Sequence, residues 1–245
     1  MKQETLTVTG NRPVTETVRE MTLTGLTEAQ KPGQFVNLKL DGLFLRRPIS
    51  VYDCEGETLK LLYKVVGAGT EAMARLRPGT ALDVLCGLGN GYDLSKAGDR
   101  PLLIGGGVGV PPLYYLARKL RAEGRTVHAV LGFNTAAEVF GEEEFRALGC
   151  ETAVTTVDGS RGVKGFVTGA LPEAYSYFYT CGPEPMLRAV YRATKTGGQF
   201  SFEERMGCGF GACMGCSCKT ITGTKRICRE GPVLEKEEIL CEDWR

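Results

Sequence analysis

The stretch Pro101-Leu-Leu-Ile-Gly-Gly-Gly-Val-Gly-Val-Pro-Pro-Leu-Tyr-Tyr-Leu116 decides the architecture. Pro101 to Ile104 reads as a short buried strand and the glycines as a tight turn. Pro111 and Pro112 then open a helix, where proline forfeits no hydrogen bond. That helix runs to Ala122, and Thr126 to Leu131 reads as the next strand. The same alternation recurs downstream, with helices at Glu142 to Leu148 and Glu184 to Ala193 and strands at Thr152 to Thr155 and Tyr177 to Thr180. Strands alternating with helices imply a parallel sheet covered on its faces. Four glycines and three prolines in this longest apolar run exclude it as a membrane span.

Upstream the pattern differs. Thr5 to Thr9, Thr17 to Leu23, Gln34 to Leu40, Ile49 to Tyr52, Thr58 to Val66 and Ala81 to Leu85 are short runs rich in Thr, Val and Leu. Gly, Pro and Asp separate most of them, and no long helical period intervenes. Six such runs predict an antiparallel barrel or sandwich. Gly87 to Arg100 reads as a linker, and the chain divides into residues 1–95, 96–197 and a cysteine-rich tail at 198–245.

The 245 residues carry 30 Lys and Arg against 29 Asp and Glu. No basic stripe exists to track a phosphate backbone, so nucleic acid is not an expected partner. The N-terminal Met1-Lys2-Gln3-Glu4 leads into alternating Thr and apolar residues rather than a signal-peptide core, which predicts a cytoplasmic protein. One histidine, His128, excludes His-rich zinc sites and Rieske centres, and its strand-like setting marks it as structural. Of ten cysteines, five fall between Cys208 and Cys228. Secreted disulfide scaffolds spread theirs more evenly. Cys54, Cys86, Cys150 and Cys241 stand alone and read as small hydrophobes.

Cys208, Cys213, Cys216 and Cys228 have the spacing C-x4-C-x2-C-x11-C. This is the opening of the plant-type ferredoxin pattern with a distant fourth thiolate. Three thiolates on one glycine-rich loop can wrap a [2Fe-2S] unit, and the fourth closes the far iron from the hairpin-like Lys219 to Ile227. The alternative is a structural zinc site on Cys213, Cys216, Cys218 and Cys228, although zinc ribbons normally present two separated C-x2-C knuckles. Cys218 is expected to be a non-ligand.

Gly107-Val-Gly109-Val-Pro-Pro112 departs from the dinucleotide fingerprint, since Pro112 stands where a third glycine is usual. The turn still lets a pyrophosphate approach a helix N-terminus. A second turn, Cys181-Gly182-Pro183, ends the last strand of the alternating region. Carboxyl ends of parallel strands face the ligand crevice, so it and Gly105 to Gly109 could line one site.

Together with these two turns, Leu45-Arg-Arg47-Pro48-Ile49-Ser50 and Leu62-Tyr63-Lys64-Val-Val-Gly-Ala-Gly69-Thr70 resemble the ferredoxin reductase family of flavoproteins over residues 1–197. The resemblance implies an FAD-binding antiparallel β-barrel followed by an NAD-binding α/β domain. It places Arg47 on the FAD pyrophosphate, Ile49 against the isoalloxazine and Ser50 near the reactive flavin nitrogen. Gly69 and Thr70 would hold phosphates, Pro48, Leu62, Tyr63 and Lys64 would complete the flavin segment, and Gly105, Gly107, Gly109, Cys181, Gly182 and Pro183 would receive the nicotinamide nucleotide.

With its [2Fe-2S] tail the whole chain is similar to the electron transfer subunits of dihydroorotate dehydrogenase B, including Met206-Gly-Cys-Gly and Cys228-Arg-Glu-Gly-Pro232. Leu88 stands where those subunits more usually have proline. That resemblance implies an FMN-containing catalytic partner in a heterotetramer of two plus two chains, passing electrons through the cluster and FAD to NAD⁺ in pyrimidine biosynthesis. No acid-base pair for dihydroorotate chemistry stands out, so no catalytic residue is assigned. Two alternatives stay open: the small FAD/[2Fe-2S] subunit of a ferredoxin-linked NAD(P)H oxidoreductase, and a zinc-stabilised nucleotide-binding regulator. Relatives of the first kind can carry aspartate at the position of Cys208.

Between Phe133 and Phe145 there is no basic residue, while Glu138, Glu142, Glu143 and Glu144 would repel a 2′-phosphate. NAD is therefore expected over NADP, with Glu138 the candidate ribose partner. Met206, Phe210 and Met214 are candidate apolar contacts for the partner.

Overall fold

A computed structural model describes residues 1–240; Cys241 lies outside the described residues. The N-terminal strands are β1 (Lys2–Pro13), β2 (Val18–Thr24), β3 (Phe35–Leu38), β4 (Arg47–Glu55) and β5 (Thr58–Lys64), followed by helix α1 (Ala68–Ala74) and strand β6 (Ala81–Leu88). They form a closed antiparallel barrel in the order β1-β2-β5-β4-β3-β6. The barrel rather than the sandwich follows from pairing of β1 with β6 along six residues, which leaves no free edge. Period-two alternation fills the interior: Leu6 and Val8, Met21 and Leu23, Val36 and Leu38, Leu59 and Leu61 are all fully buried in one cluster. Helix α1 has only seven residues, too few to show a helical period in sequence, and its Met73 joins this same core.

The second unit contains β7 (Leu102–Gly106), α2 (Pro111–Ala122), β8 (His128–Phe133), α3 (Glu142–Ala147), β9 (Glu151–Thr156), β10 (Val163–Lys164), β11 (Phe178–Cys181), α4 (Glu184–Ala193) and β12 (Gly198–Ser201). The tail adds the hairpin β13 (Ser217–Thr220) and β14 (Gly223–Arg226), then β15 (Val233–Glu235). The sheet order is β10-β9-β8-β7-β11-β12-β15. All its pairs are parallel except β12 with β15. Strand order reverses between β7 and β11, the position where open parallel sheets bind ligands.

The sheet therefore continues past residue 197. Gly198–Ser201 is a strand of it, and Val233–Glu235 returns from the tail to cover its edge. Neither was legible in sequence, since each is too short to show a period. The span read as a linker also has a definite task. Asn90 Nδ2 donates to the carbonyls of Val233 (2.7 Å) and Glu230 (3.1 Å), and its Oδ1 accepts from Val233 N at 3.1 Å. One side chain thus ties the end of the barrel to the returning tail.

The two units share a core. Val18, Tyr52 and Leu62 of the barrel pack in one cluster with Leu103, Leu113 and Phe145 of the second unit. Around it, Tyr115 donates to the Gln30 carbonyl at 2.9 Å, and Arg118 reaches both the Cys54 carbonyl (2.7 Å) and Asp53 (2.8 Å). A strap of this kind sets the carboxyl edge of the sheet against the barrel. His128 is buried, with its ring nitrogens near Glu151 and Arg100, a structural placement.

Candidate functional site

Strand β4 carries the segment expected to hold a flavin, and alternation splits it between two faces. Ile49 pairs with Val36 and Arg47 with Leu38, both partners being barrel-core residues. Pro48 and Ser50 oppose Asn37 and Phe35 on the outer face. Arg47 runs beside α1, and a Cβ at Gly69 would overlap its Nε. Glycine at 69 is what lets the guanidinium lie against the helix backbone. Its own bonds go to the carbonyls of Leu45 and Arg46, and no carboxylate among the described residues pairs with it. A fork-shaped cation with no protein counter-ion, pressed onto a glycine backbone, fits a pyrophosphate.

Thr70 is committed elsewhere. Its hydroxyl oxygen accepts from Val66 N (2.8 Å) and Gly67 N (3.2 Å) and donates to the Gly67 carbonyl at 3.1 Å, fixing the entry to α1. Leu62 and Tyr63 likewise present no side chain to a ligand. Leu62 belongs to the core shared by the two units, and Tyr63 points into the barrel, where it donates to Asn11 at 3.0 Å. Successive strand residues face opposite ways, and here both faces are buried. Only Lys64 and the main chain of this segment remain available. Replacing Arg47 by Ala is expected to lower FAD retained through gel filtration by about tenfold or more, the scale of one charge-assisted bond to a buried anion, with iron content unchanged. Full retention of FAD would remove Arg47 from the site.

At the carboxyl edge of the sheet the two expected turns do meet. Gly105 pairs with Cys181 across β7 and β11. A Cβ at Gly109 would overlap the Cys181 carbonyl and crowd Gly182, so the turns touch backbone to backbone. Pro183 and Met186 close over Gly106. Gly107, by contrast, faces open space, leaving one side of the turn free for a nucleotide. Burial pushes the Cys181 thiol up to about 12, so it is a neutral wall of this crevice.

Near the end of β8, Asn134 donates from its backbone N and from Nδ2 to Glu138 Oε2, at 3.2 and 2.9 Å. Glu142 is not one of the free acidic side chains of this segment. That carboxylate is buried and neutralised by Arg146 (2.7 Å) and by Arg161 (2.6 Å) from the loop after β9. Arg161 lies beyond the window read in sequence, and Ser160 beside it ties the same loop to Ala136 N at 2.7 Å. Glu143 is likewise paired with Arg146 at 3.3 Å, so the acidic side chains of this segment with no basic partner among the described residues are Glu138 and Glu144.

The cysteines of the tail fall into two pairs. Cys208 Sγ accepts from Ala212 N (3.2 Å) and Cys213 N (3.4 Å), and Cys213 Sγ accepts from Cys208 N at 3.5 Å. Cys216 Sγ accepts from Cys228 N at 3.4 Å. Burial raises the Cys208 thiol, but backbone donors from Cys213, Phe210 and Ala212 outweigh it and hold the group down to about 6. Burial and the Cys216 sulfur push Cys228 up to about 12. Among the described residues no three Cys, His, Asp or Glu side chains converge on a single ion. A binuclear cluster takes two thiolates per iron, and the backbone-to-sulfur bonds link Cys208 with Cys213 and Cys216 with Cys228. Cys218 is raised by burial and packs against the apolar cluster that also contains Cys216 and Cys228, but its sulfur accepts none of the backbone bonds that link the two pairs. Arg226 braces the site, bonding the Gly211 carbonyl at 2.7 Å and pairing with Glu230, whose carboxyl it holds down to about 2. That pairing is complete above the ordinary carboxylate range and is lost only as pH falls toward 2.

Exposure differs between the pairs. Cys216 and Cys228 are buried, while Cys213 is exposed and is flanked by Phe210 and Met214 at 40% and 53% exposure. Met206 packs against the buried apolar cluster instead.

Comparison with known proteins agrees with this geometry. Residues 203–240 match the iron-sulfur cluster binding domain of dihydroorotate dehydrogenase B. The electron transfer subunit of dihydroorotate dehydrogenase B (NAD(+)) from Geobacillus sp. (strain WCH70) is 43% identical, over 98% of this chain and 99% of the relative. The subunit of the same name from Fusobacterium nucleatum is 42% identical over 99% and 100%. Among solved structures, a chain of the NADH-dependent reduced ferredoxin-NADP oxidoreductase superposes with a TM-score of 0.88 at 28% identity, covering 98% of this chain and 91% of that one. The FAD/NAD-binding domain of nitric oxide dioxygenase from Vibrio cholerae shares the fold, with a TM-score of 0.68 at 21% identity over 77% and 91%.

Proposed function

The chain belongs to the family of dihydroorotate dehydrogenase B electron transfer subunits, and from that premise we propose that it relays electrons from an FMN-bearing catalytic subunit through [2Fe-2S] and FAD to NAD⁺. The carrying observation is the arrangement of Cys208 with Cys213 and Cys216 with Cys228, seated on the barrel face that also presents Pro48 and Ser50. FAD exchanges hydride with nicotinamide and single electrons with an iron-sulfur centre. The residues of this chain bind and orient. Arg47 would offset the pyrophosphate charge, Gly69 would admit it, and the Gly105 to Gly109 and Cys181 to Pro183 turns would hold the nicotinamide nucleotide at the strand-order reversal. Residues 1–95 would serve the flavin, 96–197 with β12 and β15 the nucleotide, and the remaining tail the cluster.

Oxidation of dihydroorotate is assigned to the partner, and the reading extends to pyrimidine biosynthesis in the cytoplasm by two chains of each kind. No helix among the described residues is long and apolar enough to cross a membrane. The exposed Cys213 with Phe210 and Met214 is the proposed docking patch, because a cluster must approach the partner's flavin there. Likeness to the ferredoxin-NADP oxidoreductase chain supports a second reading, as a ferredoxin-linked subunit.

The test is assembly and assay. The isolated chain is expected to oxidise NADH with artificial acceptors, faster than NADPH, and to leave dihydroorotate untouched. Adding the catalytic subunit should start dihydroorotate-dependent NAD⁺ reduction. Changing Phe210 and Met214 together to serine should weaken assembly by about tenfold or more, as loss of central apolar anchors does, and spare NADH oxidation. Dihydroorotate oxidation by the single chain would overturn the relay, and a complex active only with ferredoxin would install the second reading.

A further inference from the structure

Strand β3 turns Val36 and Leu38 into the barrel and presents Phe35 and Asn37 on the outside. Register with β4 sets Phe35 opposite Ser50 and Asn37 opposite Pro48, and directly opposed residues of antiparallel strands share a face. The cluster segment covers that same face. Phe35 packs with Cys216 and Cys228, and Asn37 Nδ2 donates to the Cys208 carbonyl at 3.2 Å. Each pair of cysteines thus rests on one residue of β3.

Asn37 is 1% exposed, and burying an amide is costly unless its polar atoms are used. An apolar residue would fill the position more cheaply, so the donor has a task. The fit at the bond is close. Gly209 has φ of 79°, and a Cβ there would overlap Asn37 Nδ2, so the loop can reach this amide only with glycine next to Cys208. Asn37 Oδ1 has no protein partner among the described residues, which leaves the donor half as the only part of the side chain the protein engages.

We propose that Asn37 is a positioning residue for electron exchange: through the Cys208 carbonyl it seats the cluster loop on the flavin-bearing strands and sets the separation and orientation of the two centres. The inference rests on the reading above that Arg47 to Ser50 hold the flavin. Each transfer moves one electron out of one centre and into the other and makes or breaks no bond, so its rate is governed by distance, orientation and driving force. Electronic coupling decays exponentially with separation, so a small slip of the loop has a large effect. A donor to the backbone of a metal-binding cysteine also fixes how that thiolate is oriented.

The experiment uses the full chain carrying FAD and cluster, as wild type, Asn37→Asp and Asn37→Leu. Anaerobic rapid mixing with NADH reads flavin bleaching and cluster bleaching separately, and electron paramagnetic resonance reads the reduced cluster. Flavin bleaching should stay within about twofold of wild type, while cluster bleaching slows by about tenfold or more, the usual scale when a partner of a metal ligand is lost. The resonance should shift in both variants. Iron-replete variants with wild-type cluster bleaching and resonance would overturn the role of Asn37. If Asn37→Asp loses iron, Asn37→Ser, smaller and uncharged, decides by the same readings. A wild-type chain that binds iron but no FAD would instead sink the flavin reading, so the two failures are distinguishable.

Discussion

Serine at Cys208, Cys213, Cys216 or Cys228 is expected to strip the chain of most of its iron and sulfide while FAD stays in the barrel, whereas Cys218→Ser should keep both. A serine hydroxyl is a poor substitute for thiolate sulfur, and a binuclear cluster lacking one of four ligands leaves an iron open to solvent and chelators. The four positions should not respond equally. Cys216 and Cys228 are buried against Phe35, Ile227 and Leu234, so serine there also places a hydroxyl in an apolar cluster. Cys213 is exposed, and its variant should fold best while still losing iron. Iron and acid-labile sulfide analysis beside the flavin spectrum checks all five variants. Retention of a full cluster by any of the four, together with its loss in Cys218→Ser, would reassign the ligands.

Gly109→Ala should damage the nucleotide crevice about as severely. Its Cβ would be driven into the Cys181 carbonyl and toward the Gly182 backbone, and backbone cannot rotate aside as a long side chain can. Overpacking of this kind costs about 1–3 kcal/mol, which in a chain of 245 residues lowers Tm by about 2–4 °C for each kcal/mol. Function should suffer more than stability. Forcing β7 and β11 apart at their carboxyl ends displaces both turns that frame the crevice, so KM for NADH should rise by about tenfold or more. Iron content should match wild type, since the atoms that a Cβ at Gly109 meets belong to Cys181 and Gly182 and not to the cluster loop. Unchanged KM would show that the nucleotide does not bind at this edge.

Much of this organisation is legible in the sequence. Alternation in Thr5 to Leu85 is enough to announce six strands, because a half-buried strand must repeat every two residues. Pro111 opening α2 and the C-x4-C-x2-C spacing are equally local signals. The missed elements share a cause. Helix α1 and strands β10, β12 and β15 have two to seven residues each, less than two repeats of any helical period and too few for a strand to stand out from its turns.

At the sites, the candidate residue types were legible in the sequence: cysteine spacing for a two-iron cluster, glycine turns for a nucleotide and, through the family resemblance, Arg47 for a phosphate. Only the tertiary structure decided which of those groups are free to act. It sent Tyr63 to Asn11 and Leu62 into the shared core, bound the Thr70 hydroxyl to its own helix, and brought Arg161 across from another loop to cancel Glu142. It also gave the unremarkable Asn37 and Asn90 their places beneath the cluster loop and on the returning tail strand. The physical reason is range. A period, a cap or a ligand spacing is written within a few consecutive residues, whereas a hydrogen bond between residues 171 apart, as from Asn37 to Cys208, exists only once the barrel has closed and the tail has folded back over it.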